Sequence, residues 1–210
     1  MFNNHNHSEF SNAQLGFADS TNKLTKLIQT AYDIGLDGIA LTDHEGIQGH
    51  IKAWKYYQSM DKDRDFKLAL GNEIYLMTEQ QYLENQNPKG QYTPYYHFIL
   101  TALDTTGHRQ IRELSNRAWQ RATAIKGFMR KPTYYVDIEE IIGVNKGHVI
   151  GSTACLGSLL DKLILNYKLN NDQSCKQEIH KFIQWGLQTF GKGNFYLEIQ
   201  PCNEDNIEQR

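Results

Sequence analysis

This sequence is short of the features that would send it outside the cell or into a membrane. Its three cysteines, at positions 155, 175 and 202, are an odd number without the spacing of a disulfide framework. No apolar stretch follows Met1 to act as an export signal, and no uninterrupted run approaches the roughly 20 apolar residues that span a bilayer. The chain therefore reads as cytoplasmic and reduced, with no membrane partner. An excess of one charge is also lacking: 22 basic residues stand against 24 acidic ones, a net charge of −2. No global positive field announces a nucleic acid, so any contact with DNA has to be local. Internal repeats and low-complexity tracts are absent. The 210 residues suit one domain with a sizeable core, expected over 1–210.

Strand-like and helix-like segments alternate. Leu24, Leu27, Ile28, Ala31 and Ile34 fall at helical spacing after Ser20-Thr21-Asn22, and Gly35 ends the run. Residues 36–42 form a short buried-type strand that delivers Asp43-His44. A helix is expected from 47 to 60, with Ile51, Trp54 and Tyr57 on one side, then a strand from 66 to 76 that reaches Glu73. Residues 78–94 are polar and read as one long insertion with its turn at Asn87-Pro88-Lys89-Gly90. A strand over 96–103, a helix over 107–124, a strand over 147–152 and helices over 156–167 and 173–190 lead to 194–200. Strand then helix, repeated, is the pattern of a parallel sheet or barrel with helices outside, and in such folds the strand ends carry the chemistry.

At those ends stand the residues that bind metals. His5 and His7 are two apart, and in an extended segment such residues point to the same side, so both can grip one ion. Asp19, His44, Glu73, His97 and Cys155 complete a set of nitrogen, oxygen and sulfur donors that suits zinc, manganese or iron better than calcium. Asp43, beside His44, is placed to orient an imidazole as a supporting carboxylate. His50, His108, His148 and His180 read as surface or helix residues, His50 being the leading exception, and Cys175 and Cys202 as free thiols. The basic run Arg109, Arg112, Arg117, Arg121, Lys126, Arg130 and Lys131 could neutralise phosphates around Trp119. The plainer reading makes it a solvated face with Trp119 in the core.

Six segments in one order resemble a known family. Asn4 to Ser11, Ala40 to Glu45, Gly71 to Tyr75, Tyr96 to Leu100, Ser152 to Gly157 and Phe195 to Glu198 look like the polymerase and histidinol phosphatase (PHP) domain of bacterial and phage DNA polymerase III alpha subunits, and Gly107 to Ser115 looks like that group too. The resemblance implies an α/β fold, a distorted seven-stranded TIM-like β/α barrel with up to three divalent ions, zinc or manganese, at its carboxyl rim. Residue by residue, it implies His5, His7 and Glu73 on one ion, Glu73 as a bridge with His97 and Cys155 on a second, and Asp19 with His44 on a third. The family's late Asp-x-His pair does not occur in this sequence, nor do the palm, fingers and thumb. The expectation is therefore a C-terminally incomplete barrel, a fragment or one half of a split subunit, partnered by the remaining polymerase domains or a complementary subunit. Fewer ions would bind, the third site weakly, and an exposed sheet edge would be left.

The activity implied is metal-dependent phosphoester hydrolysis, such as 3′–5′ exonuclease proofreading or pyrophosphate hydrolysis, with DNA reached through the parent polymerase and no polymerisation in this chain. A stand-alone phosphatase acting on a small phosphomonoester and a non-catalytic docking module of the polymerase are the competing readings.

Overall fold

The computed structural model describes residues 1–11, 20–86, 95–125 and 128–200, with backbone alone at 86, 123–125 and 128–130. A seven-stranded sheet runs in the order β1 (Phe2–Asn3), β2 (Gly38–Leu41), β3 (Lys67–Met77), β4 (Tyr96–Ala102), β8 (Val149–Ser152) and β9 (Phe195–Tyr196), with β7 (Pro132–Tyr134) also on β3. Against it lie α1 (Leu24–Asp33), α2 (His50–Ser59), α4 (Thr105–Gln120), α6 (Leu159–Asn170) and α7 (Ser174–Phe190). The short α3 (Glu79–Gln86), a β5–β6 hairpin (Thr123–Ile125, Phe128–Arg130), α5 (Tyr135–Ile138) and a π turn at Glu139–Gly143 fill the connections. The mixed α/β architecture with a curled sheet agrees with the expected incomplete barrel.

The strands do not all run one way. β1, β2 and β3 are parallel, as are β8 and β9, but β4 is antiparallel to both β3 and β8. The polar insertion explains the reversal. α3 places Tyr82 in a small cluster with Met77 and Tyr134 at the end of the sheet, so it never crosses a sheet face, and the chain returns beside the strand it left. β3 is long enough to serve two neighbours on one edge. Its residues 67–70 pair with β2 and 75–77 with β7, while 71–76 pair with β4 on the other edge.

Two apolar clusters hold the helices to the sheet. Leu24, Ile28 and Ala31 of α1 meet Ile39, Leu41, Ala53 and Phe66. Ile111 and Leu114 of α4 meet Ile74, Leu76, Phe98, Leu100, Phe182 and Phe190. Each fully buried Leu, Ile or Phe side chain among these contributes roughly 1.5–3 kcal/mol. Two expectations fail here. α2 buries His50 and Ala53, not the predicted face, and leaves Ile51 71% and Trp54 50% exposed. Trp119 is exposed rather than core, because α4 stops at Gln120 where the chain turns into the hairpin.

Among the described residues, three members of the basic run are held in ion pairs. Arg117 and Arg121 hold Asp137, Arg117 also holds Glu140, and Lys131 is buried against Glu45. Arg109 and Arg112 are exposed, and the side chains of Lys126 and Arg130 lie outside the described residues. No helix among the described residues is long and apolar enough to cross a membrane.

Candidate metal centre

The centre forms where β1, β2 and β8 end and β4 begins, beside the middle of β3. His5 and His7 follow β1, His44 follows β2 and bridges to Glu73 in parallel register, and Glu73 lies within β3. His97 sits at the start of β4, opposite Tyr75, and Cys155 follows β8. Because β4 is antiparallel to β3 and β8, its first residues lie at this end of the sheet.

Glu73 is the hub. Its carboxylate is fully buried; Oε2 lies 2.8 Å from Nε2 of His5 and 3.1 Å from Nε2 of His7, and those two nitrogens are 2.9 Å apart. Oε1 faces Nδ1 of His97 and stands 3.6 Å from Nδ1 of His44, yet makes no hydrogen bond of acceptable geometry. Cys155 Sγ is 3.5 Å from Nδ1 of His97. Six of the seven predicted ligands thus meet, His5, His7 and Glu73 in one group and His44, Glu73 and His97 in another. His44 lies in the same group as Glu73 and His97, and Asp19, its expected companion, lies outside the described residues.

The imidazoles are oriented from behind. His5 Nδ1 donates to Glu198 Oε1 at 2.6 Å, which turns the lone pair of Nε2 toward Glu73. Ser11 Oγ donates to Asp43 Oδ1 at 2.9 Å, so it accepts from Nδ1 of His7 at 3.3 Å, and Nε2 of His7 also faces inward as an acceptor. Two imidazole lone pairs and a carboxylate oxygen within 3.1 Å of one another are a set that only a proton or a cation can satisfy. With nitrogen and carboxylate donors in this number, a borderline divalent ion fits.

The electrostatics agree. Burial would raise the Glu73 carboxyl, but the imidazoles of His5, His7, His97 and His44 gathered around it hold it well below the usual range. Burial would lower His5, but Glu198 and Glu73 outweigh it and raise the imidazole to about 10; His97, flanked by Cys155 and Glu73, likewise rises to about 9.

A profile of the PHP domain matches residues 3–202. The chain belongs to the PHP domain family. A DNA-directed DNA polymerase of Bacillus phage SPbeta is 38% identical over 219 residues, covering 99% of this chain and 17% of that protein. The DNA polymerase III alpha subunit of Borreliella burgdorferi is 30% identical over 196 residues, 93% of this chain and 15% of that protein. Its counterpart in Treponema pallidum is 28% identical over 201 residues, 96% and 15% respectively. The chain spans 17% of the length of the phage relative.

Within this PHP domain two carboxylates support the cluster from outside it. Asp43 reaches a ring through Ser11. Its carboxylate, raised by burial against the pull of its hydrogen bonds, accepts from Ser8 N at 2.6 Å, Ser8 Oγ at 2.8 Å and Ser11 Oγ, and it acts on His7 through Ser11. Glu198, a carboxylate with no role assigned from the sequence beyond its place in the Phe195-Tyr196-Leu197-Glu198 segment, supports His5. Its sequence distance from His5 hides the pairing. The cleft over the cluster, about 550 Å3, is also lined by Asn6, Ser20, Asn22 and Gln200. His50 is buried in α2, as the exception among the spare histidines, Cys175 is a buried free thiol, and Cys202 lies outside the described residues.

Proposed function

We propose that this PHP domain serves a DNA polymerase of the III alpha type and that its cluster holds divalent ions, zinc or manganese, for phosphoester hydrolysis at a nucleic-acid end. The observation that carries this reading is the convergence of His5, His7, His44 and His97 on the two oxygens of one buried carboxylate, Glu73. The polymerase relatives supply the substrate class, a DNA 3′ end, and the remaining polymerase as partner. His5, His7 and Glu73 would hold one ion, and Glu73 with His97, His44 and Cys155 another. Such ions supply Lewis acidity and acidify water at neutral pH.

The protein's own part is positioning. Glu73 stays ionised and spans both groups, Glu198 and Ser11 fix the histidine tautomers, and the open cleft admits a phosphate flanked by the side chains of Asn22 and Gln200. No side chain of the cluster is assigned as the general acid.

The test is metal content by mass spectrometry together with release of nucleotide from a 3′-labelled primer. Retained zinc or manganese with nucleotide release that Glu73→Gln abolishes is the expected result. Turnover of a phosphomonoester with the primer left intact would turn the reading toward a phosphatase, and a protein that takes up no ion would be a structural module.

A further inference from the structure

Three non-glycine residues among those described have positive φ: Glu45 at 50°, Ala154 at 58° and Asn171 at 51°. Asn171 caps the end of α6, where that conformation is routine. The other two each adjoin a residue of the cluster, Glu45 following His44 and Ala154 preceding Cys155. A left-handed backbone under a long side chain persists only where its surroundings hold it.

For Glu45 the holding contacts can be traced in full circle. Its backbone N–H donates to the carbonyl of Glu73 at 2.8 Å. Its carboxylate is completely buried: Oε1 accepts the backbone N–H of Lys131 at 2.8 Å and Oε2 the ammonium of the same residue at 3.2 Å. The Lys131 side chain is 1% exposed, and its Nζ lies 5.0 Å from the centre of the Trp119 ring. Lys131 leads into β7, which pairs with β3 at Tyr75, Leu76 and Met77, two residues beyond Glu73 on the same strand. A ring therefore closes from Glu73 through Glu45 and Lys131 to β7 and back to β3.

A buried pair of this kind is a costly way to obtain stability, since apolar residues of equal volume often serve as well or better. What it adds is direction. The carboxylate grips both the main chain and the side chain of one residue, and so fixes the orientation of the turn between Asp43 and Glu45. We propose that Glu45 and Lys131 are positioning residues of the cluster, their ion pair locking the left-handed turn that aims the His44 imidazole at Glu73. The geometric part stands without bound metal; the effect on ion affinity rests on the function proposed above.

The first measurement is the ring resonances of histidines in the 15N-labelled, metal-free chain. Glu45→Gln and Lys131→Met are expected to shift or broaden the His44 ring signals while those of His5 and His7 stay in place, and Lys131→Arg, which keeps the charge, is expected to preserve the wild-type spectrum. A single variant that strands one charge can fail to fold. The double variant Glu45→Gly/Lys131→Met removes both charges of the pair and gives the backbone the residue it favours, and it is expected to displace His44 equally. In cobalt(II) titration followed by visible absorption, the uncoupled variants should bind at least tenfold more weakly at the group containing His44. Unchanged His44 signals in the folded variants would overturn the clamp. If the wild type takes up no cobalt, the metal reading fails, while the histidine spectra still decide the clamp.

Discussion

His5 and Glu198 are 193 residues apart in sequence, yet Nδ1 of the first donates to Oε1 of the second at 2.6 Å. Glu198 is itself held, its Oε2 accepting from Ser152 Oγ at 3.1 Å and its backbone N–H donating to Thr153 Oγ1 at 2.9 Å. A residue just beyond β9 thus sets the tautomer of a histidine just beyond β1. Removing a carboxylate that orients a ligating imidazole typically costs about 10–100-fold in metal affinity. Glu198→Ala should lose that much in competition against a chromophoric chelator, and Glu198→Gln, which keeps an acceptor oxygen, should lose less.

Glu73 carries a heavier prediction, because both groups share it. Glu73→Gln keeps the shape and removes the charge, so ions should be lost from both groups together rather than one at a time. Metal analysis after dialysis should fall toward zero, where Cys155→Ser leaves the His5–His7 group occupied. In the metal-free chain the same change removes a carboxylate that raises His5 and His97, so both rings should titrate at lower pH in the variant, read from their NMR signals against pH.

The legible part of this centre was the part written locally. His5-Asn6-His7, Asp43-His44 and Gly71-Asn72-Glu73 stand at the ends of short apolar runs, and period-two spacing with strand boundaries suffices to place them. The route from Asp43 to an imidazole was not legible, because the turn after β2 sends its carboxylate back to Ser8 and Ser11, and Ser11 rather than Asp43 meets the ring of His7. The α2 face was misread for a related reason. Ile51, Trp54 and Tyr57 share a helical face, but a helix between two strands shows the sheet whichever side its connections dictate, here His50 and Ala53. The direction of β4 was invisible, since a polar helix in the connection looks like a crossover until Tyr82 is seen to anchor it at the sheet's end.

His50 makes stability depend on acid. Burial, opposed by its bond to the carbonyl of Gly71 at 2.8 Å and aided by His108, lowers its pKa from 6.5 to about 4. Between those values the unfolded chain binds the proton and the folded one does not, so the contribution is complete above pH 6.5 and lost as pH falls toward 4. With about 1.36 kcal/mol per unit, wild type should lose on the order of 2 kcal/mol through this group between pH 7 and pH 5. His5 and His97, both raised, act in the opposite sense, so the comparison has to be differential. His50→Gln, which keeps a donor for Gly71, should show a smaller acid loss than wild type in urea titrations at the two pH values.

Gly157 is where a single methyl group should separate the two halves of the centre. A Cβ built there would lie 2.8 Å from Cγ of the His97 ring and 2.9 Å from its Cδ2, closer than such contacts allow, and the backbone cannot retreat because the carbonyl of Gly157 accepts the N–H of His97 at 3.1 Å. The ring must therefore turn away from Glu73 and Cys155. Forced contacts of this kind cost about 1–3 kcal/mol, less than the loss of a core side chain, so Gly157→Ala should still fold. Its metal content should drop by one group only, with the His5–His7 side retained, and the cobalt spectrum should lose the thiolate charge-transfer band that Cys155 would give. A variant that keeps that band would mean that His97 and Cys155 do not share an ion.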